Sequence, residues 1–96
     1  MVRVILRGPN EAAVKAYAGN VGELLRQRQK ELRLEARILG PAPCLLTRLK
    51  ANFRYHLQLT SADLSALQQL WRSTELDLPN HPQIEYVVDV DPLNLR

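Results

Sequence analysis

The sequence predicts an α+β fold, a two-layer sandwich of order βαββαβ with two helices on one face of a four-stranded antiparallel sheet. Three observations predict it. Four segments alternate apolar and polar residues with period two. Two others repeat apolar residues at helical spacing. The length, 96 residues, suits one domain with a modest core.

Val2, Val4 and Leu6 alternate with Arg3, Ile5 and Arg7, which makes a first strand with one apolar face. Gly8-Pro9-Asn10 punctuates it, and Pro9 or Asn10 can open a helix. Val14, Tyr17, Ala18, Val21, Leu24, Leu25 and Leu32 then follow helical spacing. Gly19 and Gly22 weaken that helix by about 1 kcal/mol each relative to Ala, and close packing against a strand is their expected use. Leu34, Ala36 and Ile38 alternate with charged neighbours as a second strand, which Gly40-Pro41-Ala42-Pro43 is expected to end. The connection onward to Ala51 is long for a hairpin and reads as a functional arm or a partly packed turn.

Phe53, Tyr55, Leu57 and Leu59 alternate strictly with Arg54, His56, Gln58 and Thr60, the cleanest strand of the chain. Thr60-Ser61-Ala62-Asp63 resembles a capping box with Asp in place of Glu. Leu64, Leu67, Leu70 and Trp71 form an amphipathic second helix, and Trp71 is read as core because it shares that stripe. After a loop from Pro79 to Pro82, Ile84, Tyr86, Val88 and Val90 alternate with Glu85, Val87, Asp89 and Asp91 as the last strand. Right-handed crossovers turn this order into a ferredoxin-like sandwich. With no repeat, linker or low-complexity segment, residues 1–96 are read as a single domain.

Charge is distributed unevenly. Arg26, Arg28, Lys30, Arg33, Arg37, Arg48, Lys50 and Arg54 hold eight of the thirteen basic residues, against only Glu31 and Glu35 in that stretch. From Glu75 to Asp91 there are five acids and no Lys or Arg. A basic middle suits a polyanion, while the plainer reading is a solvated charged face. No apolar run is long enough to span a membrane. The first residues lack a signal-peptide layout. The one cysteine, Cys44, excludes an internal disulfide and suits a reducing, cytoplasmic setting.

The search for catalysis finds nothing. There is no Gly-Lys-Ser/Thr phosphate cradle and no Gly-x-Gly-x-x-Gly turn, so no ATPase or nucleotide cofactor is expected. Cys44 and His56 read as two unrelated surface residues rather than a nucleophile pair. Asp89 and Asp91 share a strand face but lack a third ligand. No metal is expected there; Asp89 is read as pairing with a basic neighbour and Asp91 as ending the strand. A sheet that stacks bases needs exposed aromatics. Here Phe53 and Tyr55 share the helix-covered face, and the other face offers Arg3, Arg7, Arg54 and His56, which leaves phosphate contacts. Arg26, Arg28, Lys30 and Arg33, at the end of the first helix, form a second basic cluster or compensate the helix dipole.

Leu39-Gly40-Pro41-Ala42-Pro43, Arg48, Phe53 to Leu59 and the terminal Asp89-Val90-Asp91-Pro92-Leu93 together resemble the C-terminal domain of primosomal protein N′, the bacterial replication-restart DNA helicase family PriA. The resemblance spans residues 1–96, with its specificity in 39–59 and 86–95. It implies a βαββαβ module that helps an ATP-dependent helicase bind branched or single-stranded DNA at stalled forks and packs against the helicase core. It also implies contact of the whole protein with single-stranded-DNA-binding protein, a place in the bacterial nucleoid, and ATP-binding lobes and zinc cysteines elsewhere. Met1 would then be an added or chosen start. The DNA-contacting residues expected are Arg48, Lys50 and Arg54, with Arg26, Arg28 and Lys30. The segment Cys44 to Asn52 is more apolar than the family's short basic loop, and Leu45, Leu46 and Leu49 are expected to dock on a core or fold back. Two other readings stand beside this one. One is a purely structural docking domain. The other is a small-ligand regulatory βαββαβ module, for which Gly8-Pro9-Asn10 is a poor ligand turn.

Overall fold

The computed structural model of the chain describes residues 2–49 and 52–90, with the side chains of 44–49 and 90 excepted. Its elements run β1 (Val2–Gly8), α1 (Glu11–Leu32), β2 (Arg37–Leu49), β3 (Asn52–Thr60), α2 (Leu64–Glu75) and β4 (Glu85–Val90). The strands pair antiparallel in the order β2-β3-β1-β4. The two consecutive strands β2 and β3 form a hairpin, and the helical crossovers carry β1 and β4 to their places beside it. This is the expected α+β sandwich.

The period-two pattern decides which face the helices cover. Val2, Val4 and Leu6 of β1 and Tyr55, Leu57 and Leu59 of β3 are buried. They pack against Val14, Tyr17, Ala18, Val21 and Leu25 of α1 and Leu67, Leu70 and Trp71 of α2 in one core cluster. Burying each such aliphatic side chain contributes roughly 1.5–3 kcal/mol. Trp71 lies in that core as expected, edge-on to Tyr86 with ring centroids 5.7 Å apart.

α1 begins where Asn10 caps it, its side chain accepting from the Ala13 N–H at 3.1 Å. It ends at Arg33, which adopts φ 52°, ψ 43° and donates its backbone N–H to the last turn. α2 departs from expectation at its start. Asp63 is itself the cap, accepting from the Ser65 N–H at 2.9 Å. Ser61 Oγ accepts from Asp63 N–H at 3.1 Å and donates to the Glu35 carbonyl at 2.6 Å. The box-like spacing is thus an Asp cap preceded by a serine that ties the turn to the segment after α1.

The larger departure is β2. Leu34 to Ala36 lie in the connection, partly covering the core, and are held there by Gln29, whose side-chain amide donates to the carbonyls of Leu34 and Ala36. The strand starts at Arg37 and runs through Gly40-Pro41-Ala42-Pro43 instead of ending there. Gly40 takes φ 102°, and the Gly40–Pro41 peptide is cis. Pairing survives because register slips at two places, between Leu39 and Ala42 and between Pro43 and Arg48. The segment read as an arm or packed turn is therefore the second half of a long hairpin strand, with Leu49 opposite Asn52. Proline removes a ladder donor, and an edge strand with bulges tolerates that. β2 is such an edge.

Gly22 admits this bend onto the helix. A Cβ built there would sit 3.2 Å from Leu57 Cδ2 and 3.3 Å from Pro41 Cδ. Gly19 does not have this use, since nothing lies within 4 Å of its Cβ position.

Candidate nucleic-acid interface

Alternation that buries one face of the sheet leaves the other face free of helices, and pairing arranges its residues in rungs. One rung runs Glu85, Arg7, Arg54 across β4, β1 and β3. The next runs Val87, Ile5, His56, Ala42, and the third runs Asp89, Arg3, Gln58, Leu39. Arg37 on β2 pairs with Thr60 one step further on. Four arginines thus share a face with two acids, and both acids sit on the β4 edge.

The acids do not neutralise the arginines equally. Arg7 pairs with Glu85, donating from Nε at 3.1 Å and from a terminal nitrogen at 2.8 Å. Asp89 is the register partner of Arg3, as expected of a basic neighbour, but the two form no ion pair. Arg54 stands opposite Arg7, so a like charge rather than an acid faces it across the strands. It forms no ion pair among the described residues. The Nε–H groups of Arg3 and Arg54 are covered and have no hydrogen-bond partner. Like charges directly opposite repel and weaken a sheet, and an anion bound between them would relieve that repulsion.

Among the described residues the face carries no Phe, Tyr or Trp ring, and its one aromatic ring is the imidazole of His56. Tyr86 is on the other side, in register with Leu6, and donates its hydroxyl to Glu75 at 2.8 Å. Base stacking therefore has no platform of Phe, Tyr or Trp here, and guanidinium groups of this kind are chemically complementary to phosphate oxygens.

The residues expected at the interface are spread over both layers. Arg54 is on the helix-free face. Position 48 pairs with Phe53, next in chain to Arg54, and residues 44–47 lie opposite Arg54 alone. The Arg48 side chain and the whole of Lys50 lie outside the described residues, as do the Cys44 side chain and Asp91. Arg26, on α1, donates to the Gly40 carbonyl at 2.7 Å, which fastens the bend of β2 to the helix. Arg28 is paired with Asp77 and, at 3.4 Å, with Glu31. Lys30 is exposed in the last turn of α1, where a cation complements the helix dipole. Arg26 and Arg28 thus have internal partners in the helix layer, on the opposite side of the sheet from Arg54. Arg3 and Arg37 are additional cations of this face; strand alternation marks both, and the β2 register fixes Arg37 opposite Thr60.

On the helix side, Tyr17, Val21 and Leu24 of α1 face Leu78 and Pro79 across a groove of about 330 Å³. Tyr17 donates its hydroxyl to the Pro79 carbonyl at 2.7 Å. No group of three His, Cys, Asp or Glu side chains among the described residues is placed to hold a metal. No helix among them is long and apolar enough to cross a membrane.

A βαββαβ domain with an arginine-bearing, helix-free sheet face is the class of module these elements define. Residues 1–93 match the family described as Primosomal protein N C-terminal domain, and the chain belongs to that family. It is 24% identical over 95 residues to the Replication restart protein PriA of Borreliella burgdorferi strain B31. That alignment takes in 99% of this chain and 14% of the relative, so the chain spans about a seventh of the relative's length. Among solved structures, the de novo designed protein Foldit4 superposes with a TM-score of 0.58 at 12% identity, covering 94% of each chain. A likeness to a designed protein at that identity concerns the fold alone.

Proposed function

We propose that this domain is the DNA-binding and core-docking module of a bacterial replication-restart helicase, contacting forked or single-stranded DNA mainly through phosphates. One observation carries the reading: Arg54 lies on a helix-free face, without an acid partner among the described residues and beside the hairpin strand that bears Arg48. Family membership supports the context of replication restart, and the reading adds a cytoplasmic setting at the nucleoid and single-stranded-DNA-binding protein as a further partner. Arg26 and Arg28 add positive potential while bound to Gly40 and Asp77, and Lys30 adds an exposed charge. Docking on the remainder of the helicase uses the helix layer, whose groove beside Leu78 and Pro79 is apolar-lined and opposite the DNA face.

The test is a fluorescence-anisotropy titration of forked DNA against this chain at several salt concentrations. The reading expects affinity that falls as salt rises, because phosphate contacts release counterions. It also expects weaker binding and a shallower salt dependence when Arg48, Lys50 and Arg54 are replaced together by Ala. No binding of forked DNA at low salt would leave the purely structural docking reading in its place.

A further inference from the structure

The helix-free face holds more than the arginine beside the hairpin. Arg3 lies one rung further along β1 than the His56 rung, and Arg37 lies a step beyond it on β2. Strand spacings of about 4.8 Å and rises of about 3.3 Å per residue put Arg37 about 12 Å from Arg3 and Arg3 about 13 Å from Arg7, as backbone distances. The cations therefore follow a bent line, from Arg37 on the β2 edge across to Arg3 on β1 and then along the strands to the Arg7–Arg54 rung. The two acids of the face stay on the β4 side of that line. A phosphodiester strand carries its charges more closely, about 3.4 Å apart along a duplex axis, so cations at this spacing meet non-adjacent phosphates of one strand.

We propose that this bent line of cations is a phosphodiester track, with Arg37, Arg3 and Arg54 as its contacts and Glu85 as an internal competitor that holds Arg7 off it. The proposal rests on the DNA-binding reading above and extends it to residues outside the hairpin. Glu85 is suited to the competing role because its pair with Arg7 is well exposed, with the two side chains 48% and 71% accessible for Arg7 and Glu85 respectively. Exposed pairs of this kind are weak and screened by salt, so a phosphate can displace the carboxylate. Arg7 then becomes available beside Arg54, and the repulsion between these two opposed arginines is offset by the anion they share.

The experiment compares the chain with three variants on a single-stranded oligonucleotide and on a duplex of the same length, between 50 and 200 mM salt. The variants are Arg3→Ala with Arg37→Ala, the same two positions as Lys, and Glu85→Gln. Each phosphate contact contributes about 0.7 to the salt slope on a single strand and about 0.9 on a duplex. The double Ala variant is expected to lower the slope by about 1.4 on the single strand, and the Lys variant to restore it. Glu85→Gln is expected to tighten binding at low salt and to steepen the slope by about 0.7. The duplex arm separates the two sources of phosphodiester: equal loss on both probes assigns the track to either form, and loss on one assigns it to that form. A slope unchanged in the double Ala variant, while Arg54→Ala still lowers it, overturns the track and leaves the hairpin reading standing. Unchanged or weaker binding by Glu85→Gln overturns the competitor role. Absence of DNA binding by the unaltered chain overturns both readings together.

Discussion

Replacing the two helix glycines one at a time separates helix propensity from packing, because only one of them touches the hairpin. Gly19→Ala adds a methyl group to open space, with nothing within 4 Å. Its expected effect is the full propensity gain, a stabilisation of about 1 kcal/mol. Gly22→Ala has the same intrinsic gain, but its Cβ arrives 3.1 Å from an Arg26 terminal nitrogen, 3.2 Å from Leu57 Cδ2 and 3.3 Å from Pro41 Cδ. The arginine can move. Leu57 is fully buried in the core, and Pro41 belongs to the bend of β2, so relief there requires shifting the sheet from the helix by a few tenths of an ångström. Overpacking of this kind costs roughly 1–3 kcal/mol. Gly22→Ala should therefore be neutral to destabilising by up to about 2 kcal/mol once the propensity gain is subtracted. Urea denaturation followed by far-ultraviolet circular dichroism reads both values, and an unchanged slope confirms that the variants share one unfolding transition. If Gly22→Ala stabilises as much as Gly19→Ala, the close approach of α1 to Leu57 and Pro41 is not a packing constraint. The positioning of the hairpin by this contact would then be wrong.

Three further outcomes follow from the same geometry. Gly40→Ala should destabilise by at least about 2 kcal/mol in the same assay, because φ is 102° and the new Cβ would lie 2.8 Å from the His56 carbonyl oxygen. Arg33→Gly should stabilise by about 0.5–1 kcal/mol in a thermal melt, since a non-glycine residue holds a left-handed cap there and strain outweighs the added chain entropy. Stability should fall above about pH 10. Burial raises the Tyr17 phenol, burial and the nearby Glu11 carboxylate raise Tyr55, and the hydrogen bond to Glu75 and then burial raise Tyr86. A raised folded value means the unfolded chain loses its phenolic protons first. The stabilising contribution is then complete below the unfolded value and disappears as pH rises through the folded one. Denaturation midpoints that stay flat from pH 9 to 11 would contradict this.

Five of the six elements were legible in the sequence because each carries a periodic apolar pattern, which in β1, α1, β3 and α2 marks a buried face. Strict alternation at Val2 to Leu6 and at Phe53 to Leu59 shows which side meets the helices. It also shows that Arg3, Arg7 and Arg54 share the other side. β2 was illegible beyond Leu39 for a local reason. Gly40, Pro41 and Pro43 are strand terminators by intrinsic preference, and pairing with β3 overrides that preference through two register slips that no single-strand pattern reveals. The cap at Asp63 was misplaced within a run that offers three plausible capping residues, Thr60, Ser61 and Asp63. At the site, counting basic residues along the chain located the charge without locating its partners. Arg26 meets the Gly40 carbonyl and Arg28 meets Asp77 only after folding, so chain position alone could not show that these two are engaged internally. Arg37 was counted in the basic stretch, and its pairing with Thr60 fixes its place on the open face.

The central claim is that the domain holds nucleic acid by phosphates through arginines on its helix-free sheet face. The most direct measurement is the slope of log affinity against log salt for forked DNA, taken for the unaltered chain and for Arg54→Ala. The account predicts a linear negative slope that becomes shallower by about 0.7–0.9 when Arg54 is lost, with folding unchanged by circular dichroism. Binding that is insensitive to salt, or a slope identical in the two proteins, would contradict it.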